Sequence, residues 1–213
     1  MKYNRFQENI SNHIKSNLGL YFLVLLFFAI GIAAGAFTVK SLDDIQKQEL
    51  IKYLKGFFQI LTSKSVDSTV VLRQSLQNNV QTIVVIWLLG ITVIGIPITL
   101  LIIGVRGFII GFTVGFLLEG LGWKGLLFTF IAIIPQNIII IPCLIGICVI
   151  SISFSIIVIK ERIARKWTNN YWQKFFSYSI LIIILFLISI SGSLIEAYIT
   201  PVFIKLMSSY LTI

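Results

Sequence analysis

The residues best suited to chemistry in this chain form a short polar interruption of an apolar run. The stretch IIPQNIIIIPC, residues 133–143, holds two prolines and the amide pair Gln136 and Asn137, and it lies within the uncharged residues 126–159. Broken helices with buried amides form the substrate sites of some transporters. The same amides could instead bind backbone groups that a proline leaves without a partner. We interpret them as structural, with a binding site as the alternative.

Catalytic chemistry would need a nucleophile beside a base, paired carboxylates or a set of metal ligands. The one histidine, His13, lies in a basic N-terminal segment, and Glu119 and Glu196 are the acidic residues near the expected outer helix ends. Cys143 and Cys148 are five residues apart on one expected helix, so their side chains point to different sides. We therefore expect no enzyme activity, no catalytic residue, no metal site and no cofactor.

The composition indicates an integral membrane protein. Hydrophobic residues make up 57% and charged residues 12% of the 213 residues, whereas a soluble domain has about 45–50% and about 25%. The first apolar run, residues 18–39, is too long for a cleavable signal peptide and predicts a signal anchor. The net charge of +9 fits basic residues that set topology and contact anionic lipid, so we expect no nucleic-acid binding.

These patterns predict an all-α fold: a polytopic helix bundle with five transmembrane helices in one integral membrane domain, residues 1–213. The basic tail 1–17 and the loop 160–174, which has five basic residues and one acidic residue, are expected in the cytoplasm. The C-terminal tail, 196–213, is then extracytoplasmic. The first, fourth and fifth transmembrane helices are expected at residues 18–39, 138–159 and 175–195.

The second and third transmembrane helices must share residues 80–118, in which Arg106 is the one charge. A turn at Gly95–Pro97 or at Gly104–Gly107 would separate them. We favour the second position because it places Arg106 at a membrane boundary, whereas a charge in mid-bilayer is energetically costly.

Two sets of small residues predict close contacts between helices. Gly31 and Gly35 enclose the motif GIAAG in the first helix, and Gly107, Gly111 and Gly115 recur every four residues in the third. A residue spacing of four keeps side chains on one helix face, and glycine lets another helix approach closely.

The polar segment 40–79 is expected outside the membrane and contains an amphipathic helix. This helix lies on the membrane surface or against the bundle, or it presents a docking face for a partner. Lys47 falls on its apolar side. The apolar residues that we consider candidates for partner contact are Leu54, Phe57, Phe58 and Leu61.

Before the fourth helix we expect a non-crossing apolar connection, residues 124–137, as a re-entrant or an interfacial segment. A straight helix through 126–159 would be about 51 Å long, against a hydrocarbon core of about 30 Å. Two full crossings would place the basic loop outside. Because Pro135 cannot donate a backbone hydrogen bond, we expect the helix to break there. The fourth helix then starts beyond Asn137, with Pro142 in its first turns.

Glu196 follows an apolar helix and precedes Pro201. We expect its carboxylate to cap exposed backbone or to pair with a basic group near the outer boundary. An ordinary solvated glutamate is the alternative.

Four motifs follow one another along the chain: LQNNV with Asn78 and Asn79, a glycine-rich turn with Arg106, Gly107 and Gly111, PQNIIIIPCLIG with Pro135 and Pro142, and IEAYITP with Glu196 and Pro201. In this order they resemble the stage II sporulation protein M family over essentially the whole chain. The broader family often has a His-Gly and a Glu near the start of the fourth helix. Here those places hold Gln136, Asn137 and an isoleucine, which argues against a titrating site.

The resemblance implies a membrane platform that holds two enzymes, stage II sporulation proteins D and P. These are a lytic transglycosylase and an amidase/endopeptidase. Such a machine degrades septal peptidoglycan during engulfment in endospore formation. We therefore expect a non-enzymatic scaffold in the cell membrane that recruits these wall hydrolases. The lipid bilayer is its other partner, and a homo-oligomer is compatible with this role. The alternative is a small membrane transporter or channel built around the broken fourth segment.

Overall fold

A computed structural model describes residues 17–63, 67–163 and 171–203. Most of the predicted N-terminal tail, the middle of the basic loop and the end of the C-terminal tail lie outside this part. The described part is helical and contains no strand. Its elements are α1 Leu18–Lys40, α2 Asp44–Ser63, α3 Ser68–Gly90, α4 Gly95–Leu121, α5 Trp123–Phe128, a π turn Thr129–Ile133, α6 Ile134–Ile163, α7 Tyr171–Leu194 and a π turn Ile195–Ile199.

Four helical stretches in the described part are long and apolar enough to cross a membrane. They are Leu18–Lys40, Gly95–Leu121, Trp123–Glu161 and Tyr171–Phe203. The predictions of an all-α fold and of a multi-pass membrane protein are therefore confirmed. Helix α3, which a fifth crossing would need, is apolar only in its second half, so a count of five crossings stays a prediction.

Helices α1 and α4 pack with their backbones in contact. A β-carbon at Gly31 would lie 2.1 Å from the carbonyl oxygen of Gly104, and one at Gly35 would lie 2.2 Å from that of Phe108. On α4, a β-carbon at Gly107 or Gly111 would lie 2.3 or 2.1 Å from a carbonyl oxygen of α1. No side chain fits at these distances, so the glycines set how closely the two helices approach.

The chain turns between α3 and α4 at residues 91–94. The favoured turn at Gly104–Gly107 is wrong, because α4 continues through it and Gly107 packs against the backbone of Phe28. The alternative turn, Gly95–Pro97, coincides with the first residues of α4. A proline is tolerated there because the first N–H groups of a helix have no intrahelical acceptor. Arg106 therefore lies in the middle of a helix and not at a boundary.

The predicted helix break at Pro135 is also wrong. The chain reverses at Gly122, which has a φ of 58° that favours glycine, and it is then helical through α5, the first π turn and α6. The connection 124–137 is thus helical. The π turn ends just before Pro135, so the missing N–H falls where the hydrogen-bond pattern changes register. Because α6 begins earlier than predicted, Pro142 lies inside it.

Helix α2 lies at the end of the bundle where α4 ends. The Nζ atom of Lys47 is 3.4 Å from Oε1 of Glu119 near the end of α4, which explains a lysine on the apolar side of α2. The four candidate side chains for partner contact lie outside the described part.

Helix α3 starts at a cap, because Asp67 accepts hydrogen bonds from the Thr69 hydroxyl and amide. These hydrogen bonds lower the pKa of Asp67.

The main hydrophobic core surrounds α6. Val24 of α1, Ile86 of α3 and Ile103 of α4 are fully buried and belong to the same cluster as Ile147 and Ile152 of α6. Helix α6 is therefore the central helix of the hydrophobic core.

Candidate functional site

Asn79 joins three helices of the bundle. Its side chain is 7% exposed. Its Nδ2 donates to Oγ of Ser193 on α7 at 2.9 Å, and its Oδ1 accepts from Arg106 Nη2 on α4 at 3.3 Å. The preceding residue, Asn78, is exposed and accepts from Gln74 within α3. Of the predicted asparagine pair, only Asn79 faces the interior, because neighbouring residues on a helix differ by 100° in direction.

Arg106 is held by polar groups of α3. Besides Asn79, its Nη2 donates to Oγ1 of Thr82 at 3.3 Å. The negative charge of Glu196 also acts on Arg106 through space. These interactions offset the cost of placing a guanidinium inside a membrane helix, which is why α4 has no need of a turn there.

Glu196 lies in the second π turn and faces α3. Its Oε2 accepts a hydrogen bond of 2.5 Å from Oγ of Ser75, which is 5% exposed. The sequence predicts that this carboxylate caps exposed backbone or pairs with a basic group near the outer boundary. In the structure it accepts from a side-chain hydroxyl, and its charge acts on Arg106 through space. The sequence offered one signal for Ser75: it precedes Asn79 by four residues and so shares its helix face.

We call this set of side chains the charged cluster. It combines one guanidinium, one carboxylate, one amide and three hydroxyl groups. Its members are Ser75, Asn79, Thr82, Arg106, Ser193 and Glu196.

The predicted amide pair lies beside the charged cluster. A β-carbon at Gly192 would lie 2.5 Å from Cγ1 of Ile140 and 3.2 Å from the Gln136 carbonyl oxygen, so α6 and α7 touch closely here. Thr200 donates to Gln136 Oε1 at 3.1 Å, and Asn137 Nδ2 donates to the carbonyl oxygen of Ile133 at 2.7 Å. Both amides thus bind groups of the protein itself.

The two π turns meet at Thr200. Its hydroxyl is 3.5 Å from the carbonyl oxygen of Ala132 in the first π turn and 3.5 Å from that of Ile195 in the second. A π turn changes the backbone hydrogen-bond register and often occurs at functional positions. Of the three candidate prolines, Pro135 and Pro201 are half-buried in this region, whereas Pro142 is exposed.

The family model of stage II sporulation protein M matches residues 24–201. This chain belongs to the stage II sporulation protein M family. The matched residues contain the whole charged cluster and both π turns. No curated protein and no solved structure matches the chain. The family membership and the apolar helices make the chain a sporulation-related, multi-pass membrane protein.

This member of the family has a second polar cluster, at the other end of α3. Ser155 donates to the carbonyl oxygens of Gly90 and Thr92 at 2.8 and 2.9 Å. The hydroxyl groups of Ser151 and Tyr178 donate to the carbonyl oxygens of Ile86 and Trp87, one turn earlier in α3, at 2.9 and 2.8 Å. We call Ser151, Ser155 and Tyr178 the hydroxyl cluster. Two of these carbonyl groups, those of Trp87 and Gly90, belong to the last four residues of α3, which have no i+4 donor within the helix.

The chemistry open to the charged cluster is limited by its composition. Among the residues that the structure describes, no group of three or more His, Cys, Asp or Glu side chains could hold a metal ion. Glu196 and Arg106 could bind a polar ligand, or they could hold α3, α4 and α7 in register. Their hydrogen bonds to Ser75, Asn79 and Thr82 favour the second role.

Proposed function

We propose that this protein is a non-enzymatic membrane scaffold that recruits and localises peptidoglycan-degrading enzymes during engulfment in endospore formation. The observation that carries this proposal is the charged cluster, in which the polar groups bind one another and join three helices. A cluster of this kind supports a rigid platform. The family match supports the link to sporulation.

The proposed topology has five crossings, formed by α1, α3, α4, the α5–α6 stretch and α7. The basic tail 1–17 and the basic loop 160–174 lie in the cytoplasm, as the excess of basic residues favours. The N-terminus is then cytoplasmic and the C-terminus extracytoplasmic. Helix α2 lies outside the membrane, next to the end of α4 with which Lys47 pairs.

The proposed partners are stage II sporulation proteins D and P, and the proposed docking surface is α2. The candidate residues Leu54, Phe57, Phe58 and Leu61 share one face of this helix by their spacing. An apolar face on a helix outside the membrane supports a contact with another protein. This partner assignment depends on the resemblance to the family, because the wall hydrolases are the proteins that such a platform would hold.

The docking surface can be tested with a triple variant, Leu54→Ser, Phe57→Ser and Phe58→Ser. We expect stage II sporulation proteins D and P to be lost from affinity-purified material of sporulating cells, while the variant stays in the membrane. The matched control changes the opposite face, Gln48→Ser, Lys52→Ser and Gln59→Ser, and should leave both partners bound. Unchanged recovery of the partners with the first variant would refute α2 as the docking surface.

A second candidate function is a small transporter or channel around the start of α6. The meeting of two π turns and two amides near Thr200 favours it, because interrupted helices form midplane sites in transporters. Protein reconstituted in liposomes would then show a saturable flux that Glu196→Gln abolishes. The scaffold proposal predicts no saturable flux above that of empty liposomes.

A further inference from the structure

An amphiphilic groove lies between α6 and α7, near the end of α6 and the start of α7. Its volume is about 430 Å³. Its lining includes the apolar residues Ile150, Ile157 and Leu181 and the polar residues Ser153, Lys174 and Ser177. A groove with apolar lining residues and an exposed lysine at its rim matches the chemistry of a lipid that has a charged headgroup.

The cation at the rim is fixed in position by an ion pair. Lys174 Nζ contacts Oε1 of Glu161, and the lysine side chain is 42% exposed while the glutamate side chain is 15% exposed. A lysine ammonium has three donors, so contact with one carboxylate oxygen leaves donors available to a ligand. Glu161 thus acts as a positioning residue for Lys174.

The surroundings of the rim favour a negatively charged headgroup. The segment 160–174 has five basic residues against one acidic residue, and Lys160 is exposed. Basic residues beside a membrane attract anionic lipid. At the start of α7 the rings of Tyr171 and Trp172 pack edge to face, 6.4 Å apart. Tyrosine and tryptophan prefer the level of the lipid headgroups.

We propose that this groove binds an anionic phospholipid. The phosphate lies at Lys174, and an acyl chain follows the apolar lining residues Ile150, Ile157 and Leu181 towards the middle of the membrane. A zwitterionic lipid fits less well, because its ammonium group would need a free carboxylate at the rim. The carboxylate nearest to Lys174, that of Glu161, has its Oε1 paired with the lysine, and its Oε2, which has no hydrogen-bond partner among the described residues, is buried and so out of reach of a headgroup.

The full-length protein in nanodiscs with equal amounts of phosphatidylglycerol and phosphatidylethanolamine tests the proposal. Native mass spectrometry counts the lipids that the released protein retains. We expect retained phosphatidylglycerol to exceed phosphatidylethanolamine and to fall about fivefold in Lys174→Gln. Lys160→Gln, which removes the same charge outside the groove, should lower phosphatidylglycerol retention by clearly less than Lys174→Gln does. Equal loss in both variants, or no loss in Lys174→Gln, would overturn the proposal.

Two further variants separate the groove from a general effect of charge. Ser177→Trp fills the groove from an exposed position on α7 and leaves the charge unchanged, and we expect it to reduce lipid retention as much as Lys174→Gln. Glu161→Gln removes the carboxylate that positions Lys174 and leaves the lysine charge in place, so we expect retained phosphatidylglycerol to fall, though less than in Lys174→Gln. Retention that survives Ser177→Trp, or that is unchanged in Glu161→Gln, would contradict this mode of binding.

Discussion

The charged cluster and the hydroxyl cluster both join α3 to its neighbours, but they use different chemistry at the two ends of the helix. The charged cluster connects side chains to side chains across α3, α4 and α7 and includes Arg106 and Glu196. The hydroxyl cluster connects neutral side chains of α6 and α7 to backbone carbonyls of α3 and of the turn that follows it.

The two clusters serve different purposes in a membrane helix bundle: one binds backbone carbonyl groups, and the other pairs charged side chains. A helix end has carbonyl groups without donors, so a hydroxyl cluster meets a need that any buried helix end has. Charged side chains in an apolar interior are costly unless they are paired, and no backbone group requires them. The charged cluster therefore fixes which helices meet and in what register, and its loss should cost more than the loss of one hydroxyl.

The largest effect is expected for the two charges. Arg106→Met should lower the free energy of unfolding by about 3 kcal/mol, because it leaves the Glu196 carboxylate without a compensating charge. Glu196→Gln in the same chain should restore part of the loss. The measurement is a double-mutant cycle of unfolding in mixed micelles. Strictly additive effects of the two substitutions would show that the charges do not act together and would remove the distinction between the clusters.

An intermediate effect is expected for the buried amide. Asn79→Ala should lower the free energy of unfolding by about 2 kcal/mol, because Ser193 and Arg106 each lose a partner. The neighbouring Asn78→Ala is the matched control and should change it by less than about 0.5 kcal/mol, since Asn78 is exposed. The same unfolding assay measures both. Equal losses would mean that the position of Asn79 in the cluster does not matter.

The smallest of the three effects is expected in the hydroxyl cluster. Ser155→Ala should lower the free energy of unfolding by about 1 kcal/mol, because the carbonyl groups of Gly90 and Thr92 lose a neutral donor. Ser177→Ala, which removes a hydroxyl that bonds within α7 at an exposed position, should have almost no effect. A loss for Ser155→Ala as large as that for Arg106→Met would reverse the order of the two clusters.

The sequence predicts best those features that depend on local composition. The membrane class follows from the length of the apolar runs, and the close approach of helices from the four-residue spacing of Gly107 and Gly111. The predicted turn at Gly104–Gly107 is wrong because the partners of Arg106 lower the free-energy cost of placing its guanidinium inside the membrane. Asn79 and Thr82 lie on another helix, and Glu196 lies far along the chain, so no local pattern indicates that they meet.

The first π turn had no recognisable sequence pattern, whereas the hydroxyl cluster had one. No sequence pattern identifies the π turn that lets the helix continue into Pro135, and the expected break at that proline is therefore wrong. Ser151 and Ser155, in contrast, recur at a spacing of four in an apolar run, which marks a polar strip on one helix face. That spacing was a readable signal for the hydroxyl cluster.

The backbone contact between α1 and α4 has a consequence for biosynthesis. Fifty-four residues separate Lys40 from Gly95, and a ribosome adds about 5–20 residues per second. Roughly 3–11 s therefore pass between the synthesis of Lys40 and that of Gly95. Throughout that interval the glycine face of α1 has no α4 to pack against. The bundle closes around this contact only after translation has passed the end of α4.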